Sequence, residues 1–267
     1  MRLSALGLAA ALPFAGFGQS LPALLERARA GDAAAQYAAG KIYRDGQGVA
    51  ENFTEALRWF RKAADAGNAD AEDALGFLYD SGQGVPENHV EAVRWYRKAA
   101  AQGNPDAEFN LASLYDTGQG VPQDHAGAVH WYRRAASHGD ADAQFNLGVI
   151  CDEAHNYTEA ARWYREAAIH GMPVAETALA KLYEDGRGVP RDYVAAYLWM
   201  NLAVATSHGQ AQETYSAGRD ALAGKMTAAQ LAQAQKKAMP LPASTSAAKS
   251  TRETPAEKRT AGVSTQR

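Results

Sequence analysis

The feature that most restricts the fold of this chain is a repeat that runs through its middle. Residues 67–102 align with residues 103–138 without a gap, so the repeating unit is 36 residues long. One unit of this length cannot bury its own apolar surface, so such a period is typical of proteins whose units stack in a row. All five tryptophans of the 267-residue chain occupy one position of the unit: Trp59, Trp95, Trp131, Trp163 and Trp199.

Each unit has the pattern of two helices joined by a turn. In the second unit Leu75 and Leu78 have helical spacing, and the string GQGVP follows at residues 82–86. Glycine permits positive φ and proline cannot continue a helix interior, so this string predicts a helix end and a turn. Trp95 and Tyr96 then lie on the apolar stripe of a second helix. The sequence predicts an all-α fold, an α-solenoid of five helix–turn–helix repeats in a right-handed superhelix, with the tryptophans in the repeat core.

The unit A-x-x-x-L-G-x-x-Y-x-x-G-x-G-V-P, followed by E-A-x-x-W-Y-x-x-A-A-x-x-G, resembles the Sel-one-like repeat, a family related to the tetratricopeptide repeat. The first unit departs from the pattern by having Ala50 in place of proline. The fourth unit lacks four residues of its turn and has Cys151 at the tyrosine position, so its interhelix turn is expected to be tighter. The predicted repeats are residues 31–66, 67–102, 103–138, 139–170 and 171–208.

The amino-terminal end has the pattern of a signal peptide. Residues 1–18 place Arg2 ahead of an uncharged apolar run, and small residues precede a cleavage point before Gln19. Glycine and proline interrupt the run, which argues against a membrane-spanning helix of about 20 apolar residues. The sequence therefore predicts a secreted or periplasmic protein of the bacterial envelope, with no membrane span after signal cleavage.

The repeats are flanked by segments that can close the two open ends of a stack. Residues 19–30 are expected to form an amino-terminal capping helix. Residues 209–239 are expected to form carboxy-terminal capping helices, with Thr227 at an N-cap. Residues 240–267 are rich in Pro, Ser, Thr and Ala and carry five basic and two acidic side chains. Such a segment cannot bury enough apolar surface to fold, so a disordered basic tail is predicted.

Composition and motifs argue against several classes of function. The chain has 27 Lys and Arg against 30 Asp and Glu, a balance that does not suit a protein whose main partner is nucleic acid. Cys151 is the single cysteine, so neither an internal disulfide nor a cysteine-based zinc site can form. The strings HExxH and GxSxG and the P-loop do not occur. The sequence predicts no catalytic residue, no metal site and no cofactor.

The resemblance implies a binding function, because members of the family commonly act as adaptors. We therefore expect a monomeric, non-catalytic module, either a scaffold or a regulator, that presents a concave surface to another protein or a peptide. The alternative is a hydrolase that acts on the cell wall or on β-lactams, an activity linked to cysteine-rich relatives. Those relatives pair cysteines within each unit, and this chain has no such pairs.

The candidate partner-binding surface lies on the first helix of each unit, which lines the groove in the related tetratricopeptide repeat. Variation from unit to unit is expected where a position contacts a partner or solvent. The aromatic and acidic side chains there would suit a partner with apolar anchors and basic residues. In the alternative interpretation, the phenylalanines of the third and fourth units are core residues and the carboxylates are simply solvated. The predicted binding residues are Tyr37, Asp73, Phe77, Asp80, Phe109, Asp116, Phe145, Asp152 and Glu184.

Overall fold

The computed structural model of the chain describes residues 20–238. The predicted signal peptide at 1–18 and the predicted disordered tail at 240–267 lie outside this range. All regular secondary structure within the described range is helical, and no strand occurs in it. The all-α prediction is therefore confirmed.

The chain divides into two compact units after Gln123. In the amino-terminal unit, α1 precedes two complete helix pairs and the first helix of a third pair. These helices are α1 Leu21–Arg29, α2 Ala33–Asp45, α3 Phe53–Asp65, α4 Ala69–Ser81, α5 His89–Ala101 and α6 Pro105–Thr117.

The carboxy-terminal unit contains the remaining helices of the repeats, and two further helices follow them. Its helices are α7 His125–Ser137, α8 Ala141–Glu153, α9 Tyr157–Ile169, α10 Pro173–Asp185, α11 Tyr193–Thr206, α12 Gly209–Ala223 and α13 Ala228–Lys237. Thr227 caps α13 through a reciprocal capping box with Gln230, as the sequence predicts.

Local side-chain chemistry fixes most helix ends. An Asn or Asp precedes most of the repeat helices and accepts a hydrogen bond from a backbone N–H of the first turn, as Asn68 does from Ala71 at 2.8 Å. Gly82 ends α4 in the left-handed conformation, with a φ of 68°. In the fourth repeat only residues 154–156 separate α8 from α9, so the turn is shorter, as expected. His155 takes the left-handed φ of 60° there, the one positive φ of a non-glycine residue in the described chain.

In the first four repeats the residue after the tryptophan is aromatic and packs inside the repeat. Tyr96 and Tyr164 are buried, and their rings lie against the backbone of Gly76 and Gly148 in the first helix of the same repeat. A Cβ atom at Gly76 would lie only 2.5 Å from the ring of Tyr96. Gly76 and Gly148 have no room for a side chain because a ring occupies that place, whereas the third and fifth repeats have alanine at the same position.

The tryptophans are less uniformly buried than the sequence predicts. Trp59 and Trp95 are buried, whereas Trp131, Trp163 and Trp199 are half-buried. Basic side chains lie over the rings of the first four tryptophans, and the Lys98 ammonium lies 4.1 Å from the ring centre of Trp95. In the first four repeats the tryptophan therefore marks the boundary between the core and the charged outer face of the second helix.

An arginine–tyrosine hydrogen bond joins the second helix of one repeat to the first helix of the next. Arg61 donates to the Tyr79 hydroxyl at 2.9 Å, and Arg165 donates to the Tyr183 hydroxyl at 2.8 Å. The two residues are 18 positions apart in each pair. Cys151 occupies the tyrosine position of the fourth repeat, and it is half-buried rather than fully buried. Burial raises the pKa of its thiol, which disfavours the reactive thiolate.

Candidate partner-binding surface

The predicted surface residues of the amino-terminal unit lie at matching positions of the first helices. Positions 5, 9 and 12 of a 13-residue helix are separated by four and three residues, so their side chains share one face. In α2 these residues are Tyr37, Lys41 and Arg44. In α4 they are Asp73, Phe77 and Asp80, and in α6 they are Phe109, Ser113 and Asp116.

Phe77 is the most exposed aromatic residue on this face. Its side chain retains 42% of its accessible surface, although it belongs to a helix whose other large apolar residues are buried or half-buried. Asp73 precedes it by four residues and Asp80 follows it by three, so a carboxylate lies on the same face on either side of the ring. α4 thus presents one apolar side chain between two acidic ones.

The two carboxylates of α4 that flank Phe77 are held by neighbouring side chains. Asp73 accepts a hydrogen bond from the Asn110 amide at 3.2 Å. Asp80 lies 2.8 Å from the Nδ1 atom of His89, whose other ring nitrogen lies 3.2 Å from Glu87. These contacts fix the positions of the acidic groups and leave about a third of the Asp80 side chain exposed.

Tyr37 contributes an aromatic edge to the α2 part of the face. Its ring centre lies 5.8 Å from that of Phe60, and the Lys41 ammonium lies 5.6 Å from the Tyr37 ring centre. Burial raises the pKa of the Tyr37 hydroxyl, and the nearby Asp70 acts in the same direction. The tyrosine therefore stays neutral and half-buried beside a positively charged lysine.

The structure does not place every predicted residue on an open surface. Phe109 is 3% exposed, Asp116 is 3% exposed and Phe145 is 8% exposed. The Phe145 ring packs 5.7 Å from the ring of Tyr164, inside the core of the carboxy-terminal unit. These placements favour the alternative in which the two phenylalanines are core residues. They also leave Asp116 without the exposure that contact with a partner would need.

In the carboxy-terminal unit, basic side chains of the same unit neutralise the predicted carboxylates. Glu184 lies 3.2 Å from the Lys181 ammonium and 2.5 Å from that of Lys225. Burial raises the pKa of Glu184, but the hydrogen bonds from Lys225 and Lys181 outweigh it, so its pKa lies below the ordinary value. Asp152 lies 4.0 Å from the Arg187 guanidinium. This part of the predicted surface therefore presents paired charges rather than an acidic row.

Sequence reasoning missed a row of buried polar side chains near the start of the first helices. The row consists of glutamines in the first and fourth repeats and glutamates in the others. Gln36 donates a hydrogen bond to the Ala28 carbonyl at 3.1 Å, and Gln144 donates to the Ala136 carbonyl at 3.4 Å. The signal was present in the alignment, where the position after a buried alanine is always Gln or Glu: Gln36, Glu72, Glu108, Gln144 and Glu176.

Within residues 20–238, no group of three or more His, Cys, Asp and Glu side chains is arranged to hold a metal ion. No helix in that range is both long enough and apolar enough to cross a membrane.

The helix pairs and their shared contacts define a class of protein, the all-α solenoid built from helix–turn–helix repeats. The Sel1 repeat family model matches residues 33–68, 69–104, 105–140, 141–172 and 173–205. The chain therefore belongs to the Sel1 repeat family, as the sequence resemblance suggested. Proteins with Sel1 repeats generally mediate protein–protein interactions, and the fold is typically non-catalytic.

Solved structures include similar proteins. A Sel1 repeat protein from Oxalobacter formigenes is 34% identical, with a TM-score of 0.66, over 73% of this chain and 82% of its own. The protein c5321, a protective antigen of uropathogenic Escherichia coli with an SLR fold, is 29% identical, with a TM-score of 0.55. That match covers 80% of this chain and 54% of c5321. No curated protein sequence matches the chain significantly.

Proposed function

We propose that this protein is a non-catalytic interaction module of the bacterial envelope. Its amino-terminal unit binds another protein or a peptide through the face that carries Tyr37, Asp73, Phe77 and Asp80. The partner presents an apolar side chain to Phe77 and basic side chains to the two carboxylates. In this role the protein acts as an adaptor or a regulator, and it works as a monomer.

The exposure of Phe77 is the observation that carries this proposal. Single exposed apolar residues are common and need no explanation by themselves. Phe77 differs because it lies between two positioned carboxylates, on the first-helix face that the resemblance to the tetratricopeptide repeat favours for binding. An aromatic anchor surrounded by polar groups is the arrangement found at the energetic centres of protein interfaces.

The acidic residues of α4 select the charge of the partner. Asp70, Glu72, Asp73 and Asp80 are the acidic residues of α4, which contains no basic residue. A basic segment would gain favourable long-range attraction to this helix and would associate faster at low salt. The similarity to Sel1 repeat proteins supports a binding function. The chemistry inferred for the partner rests on α4 alone.

Photo-crosslinking tests whether Phe77 lies in an interface. The full chain carries a photoreactive phenylalanine analogue at position 77, and a matched protein carries it at Val90, which is 57% exposed on α5. We expect a covalent adduct with one envelope protein from position 77 and none from position 90. Equal labelling of many proteins from both positions would contradict the proposed surface.

With that partner purified, Phe77→Ala is expected to weaken binding at least about tenfold, because truncation of a central aromatic anchor commonly costs more than 1 kcal/mol. Asp73→Asn combined with Asp80→Asn should reduce both the affinity and its dependence on salt. Val90→Ala is the control, and all variants should keep the unfolding midpoint of the parent to within a small margin. Unchanged affinity in Phe77→Ala would move the interface elsewhere.

The parent protein should not hydrolyse nitrocefin or peptidoglycan. Hydrolysis of either compound would support the alternative function.

Export is part of the proposal, and it depends on residues 1–18. We expect the protein recovered from the producing bacterium to lack this segment and to begin near Gln19 or Leu21. Intact mass measurement of protein from the envelope fraction checks this prediction. A cytoplasmic protein that retains Met1 would contradict it.

A further inference from the structure

The last repeat differs from the others on the outer face of its second helix. Positions 3, 6, 9 and 10 of the second helices carry at least two charged side chains in each of the first four repeats. α11 has no charged residue at these positions or anywhere else along its length. Its residues at the four positions are Ala195, Leu198, Asn201 and Leu202. A helix that is apolar on both faces needs a cover on both faces.

The terminal helices provide only part of that cover. α13 packs on α11, where Val194 and Tyr197 are buried together with Leu222 and Ala234. Beside the end of α13, a cavity of about 320 Å³ lies against α11. It is lined by Leu198, Trp199 and Leu202 of α11, and by Lys237 and Ala238 at the end of α13.

The chain itself continues at the rim of this cavity. Ala238 is the C-cap of α13 and lines the cavity, and the next residues are Met239, Pro240, Leu241 and Pro242. An extended chain advances about 3.3 Å per residue, so Leu241 falls within about 10 Å of Ala238. The prolines that flank Leu241 favour an extended backbone rather than a further helical turn. A cavity of this volume is about 8 Å across, so the reach of the chain matches its size.

The composition of the tail points to Met239 and Leu241 as the residues that could occupy the cavity. Among residues 239–267, the large apolar side chains are those of Met239, Leu241 and Val263. Met239 and Leu241 come directly after Ala238, which lines the cavity, whereas Val263 lies more than 20 residues further along the chain. The remainder of the tail is polar, small or charged, and its composition gives it no reason to bury surface.

We propose that Met239 and Leu241 fill this cavity and act as a carboxy-terminal latch on the last repeat. The latch completes the apolar cover of α11 that α13 leaves unfinished. It also anchors the start of the basic tail against α11. The occupant is a segment of the same chain rather than a second copy or a partner protein.

Trp199 provides a reporter inside the cavity wall. The full chain is labelled with 5-fluorotryptophan, which gives one fluorine resonance for each of the five tryptophans, and Trp199→Phe assigns the resonance of interest. We expect Met239→Ser combined with Leu241→Ser to shift the Trp199 resonance and to leave the other four unchanged. Val263→Ser is the matched control and should move none of them. A Trp199 resonance that is unchanged in the double variant would overturn the proposal.

Disulfide trapping then distinguishes the latch from other occupants. In a Cys151→Ala background, Leu202→Cys is combined with Leu241→Cys and exposed to oxidised glutathione. We expect an internal disulfide in the monomer, and at least tenfold less of it when Val263→Cys replaces Leu241→Cys. A disulfide-linked dimer as the main product would assign the cavity to a second copy. A Trp199 resonance that responds only to added partner protein would assign it to the partner. Either result would overturn the latch.

Discussion

Tyr96→Ala is expected to lower the free energy of unfolding by about 3–5 kcal/mol, the range for truncation of large buried aromatic residues. The Tyr96 ring is almost completely buried and lies where the side chain of residue 76 would otherwise be. Removing the ring therefore leaves a cavity beside the backbone of Gly76. Because residue 76 is glycine, it has no side chain that could fill this cavity. The loss combines the lost burial of the ring with the cost of the cavity.

Tyr115→Ala is the matched comparison in the following helix of the amino-terminal unit. Tyr115 is half-buried, and its hydroxyl accepts a hydrogen bond from Arg97 at 2.6 Å. Its replacement removes less buried area and an exposed hydrogen bond, so it should cost clearly less than Tyr96→Ala. Urea unfolding followed by circular dichroism measures both variants. Equal losses in the two variants would show that the assignment of core and surface positions is wrong.

Glu176→Gln is expected to stabilise the protein at pH 8 by about 2–3 kcal/mol and to have little effect near pH 5. Glu176 is fully buried, and only one of its carboxyl oxygens has a partner, the Thr206 hydroxyl at 3.1 Å. Burial raises the pKa of this carboxyl to about 7, although the hydrogen bond from Thr206 acts in the opposite direction. A glutamine at the same position is already part of the fold, since Gln36 and Gln144 donate to a backbone carbonyl eight residues earlier.

The direction of the pH effect follows from which state holds the proton. Below about pH 4.5 the carboxyl is protonated in both the folded and the unfolded chain, so it adds no pH dependence. Between about 4.5 and 7 the folded state keeps the proton while the unfolded state loses it. The contribution of Glu176 to stability therefore falls as the pH rises through this window, and the loss is complete above it. Glutamine does not titrate, so the variant avoids this loss.

Chemical unfolding of the parent and Glu176→Gln between pH 5 and 8.5 measures the difference. Glu166→Gln, at an exposed position of α9, controls for the change in net charge. The half-buried carboxyl of Asp140 also has a pKa raised by desolvation, to about 6, and keeps the variant from becoming wholly independent of pH. Parallel pH profiles for the parent and Glu176→Gln would contradict the assignment of the pH dependence to Glu176.

Much of the fold follows from local chemistry that a sequence displays directly. The glycine of GQGVP and the Asn or Asp before a helix act within one turn of the backbone, so Gly82 and Asn68 could be assigned without a structure. The shortened link of the fourth repeat was also visible as four missing residues. The full burial of Tyr96 was less apparent, because the pattern drew attention to the tryptophan beside it.

The surface was harder to predict because exposure depends on neighbouring helices. Phe77 and Phe145 both lie on the predicted face, yet Phe77 is exposed while Phe145 packs on Tyr164. The sequence of one helix does not state how closely its neighbours approach. The charge of the surface is equally hard to predict from the sequence of one helix, because Glu184 pairs with Lys225, which lies 41 positions away in the chain. The acidic row could therefore be recognised, but not the basic groups that neutralise its carboxy-terminal part.

The uncharged outer face of α11 also limits how this protein could lengthen by tandem duplication. A copied repeat in the middle of the array must present its second helix to water, as the exposed Arg58 and Arg94 do for the first two repeats. A copy of the second repeat would meet this requirement at once. A copy of the last repeat would expose Leu198 in the interior of the array, without α13 to pack against it. Duplication of an earlier repeat is thus compatible with the fold, whereas duplication of the last repeat is not. The last repeat therefore stays at the end of the array.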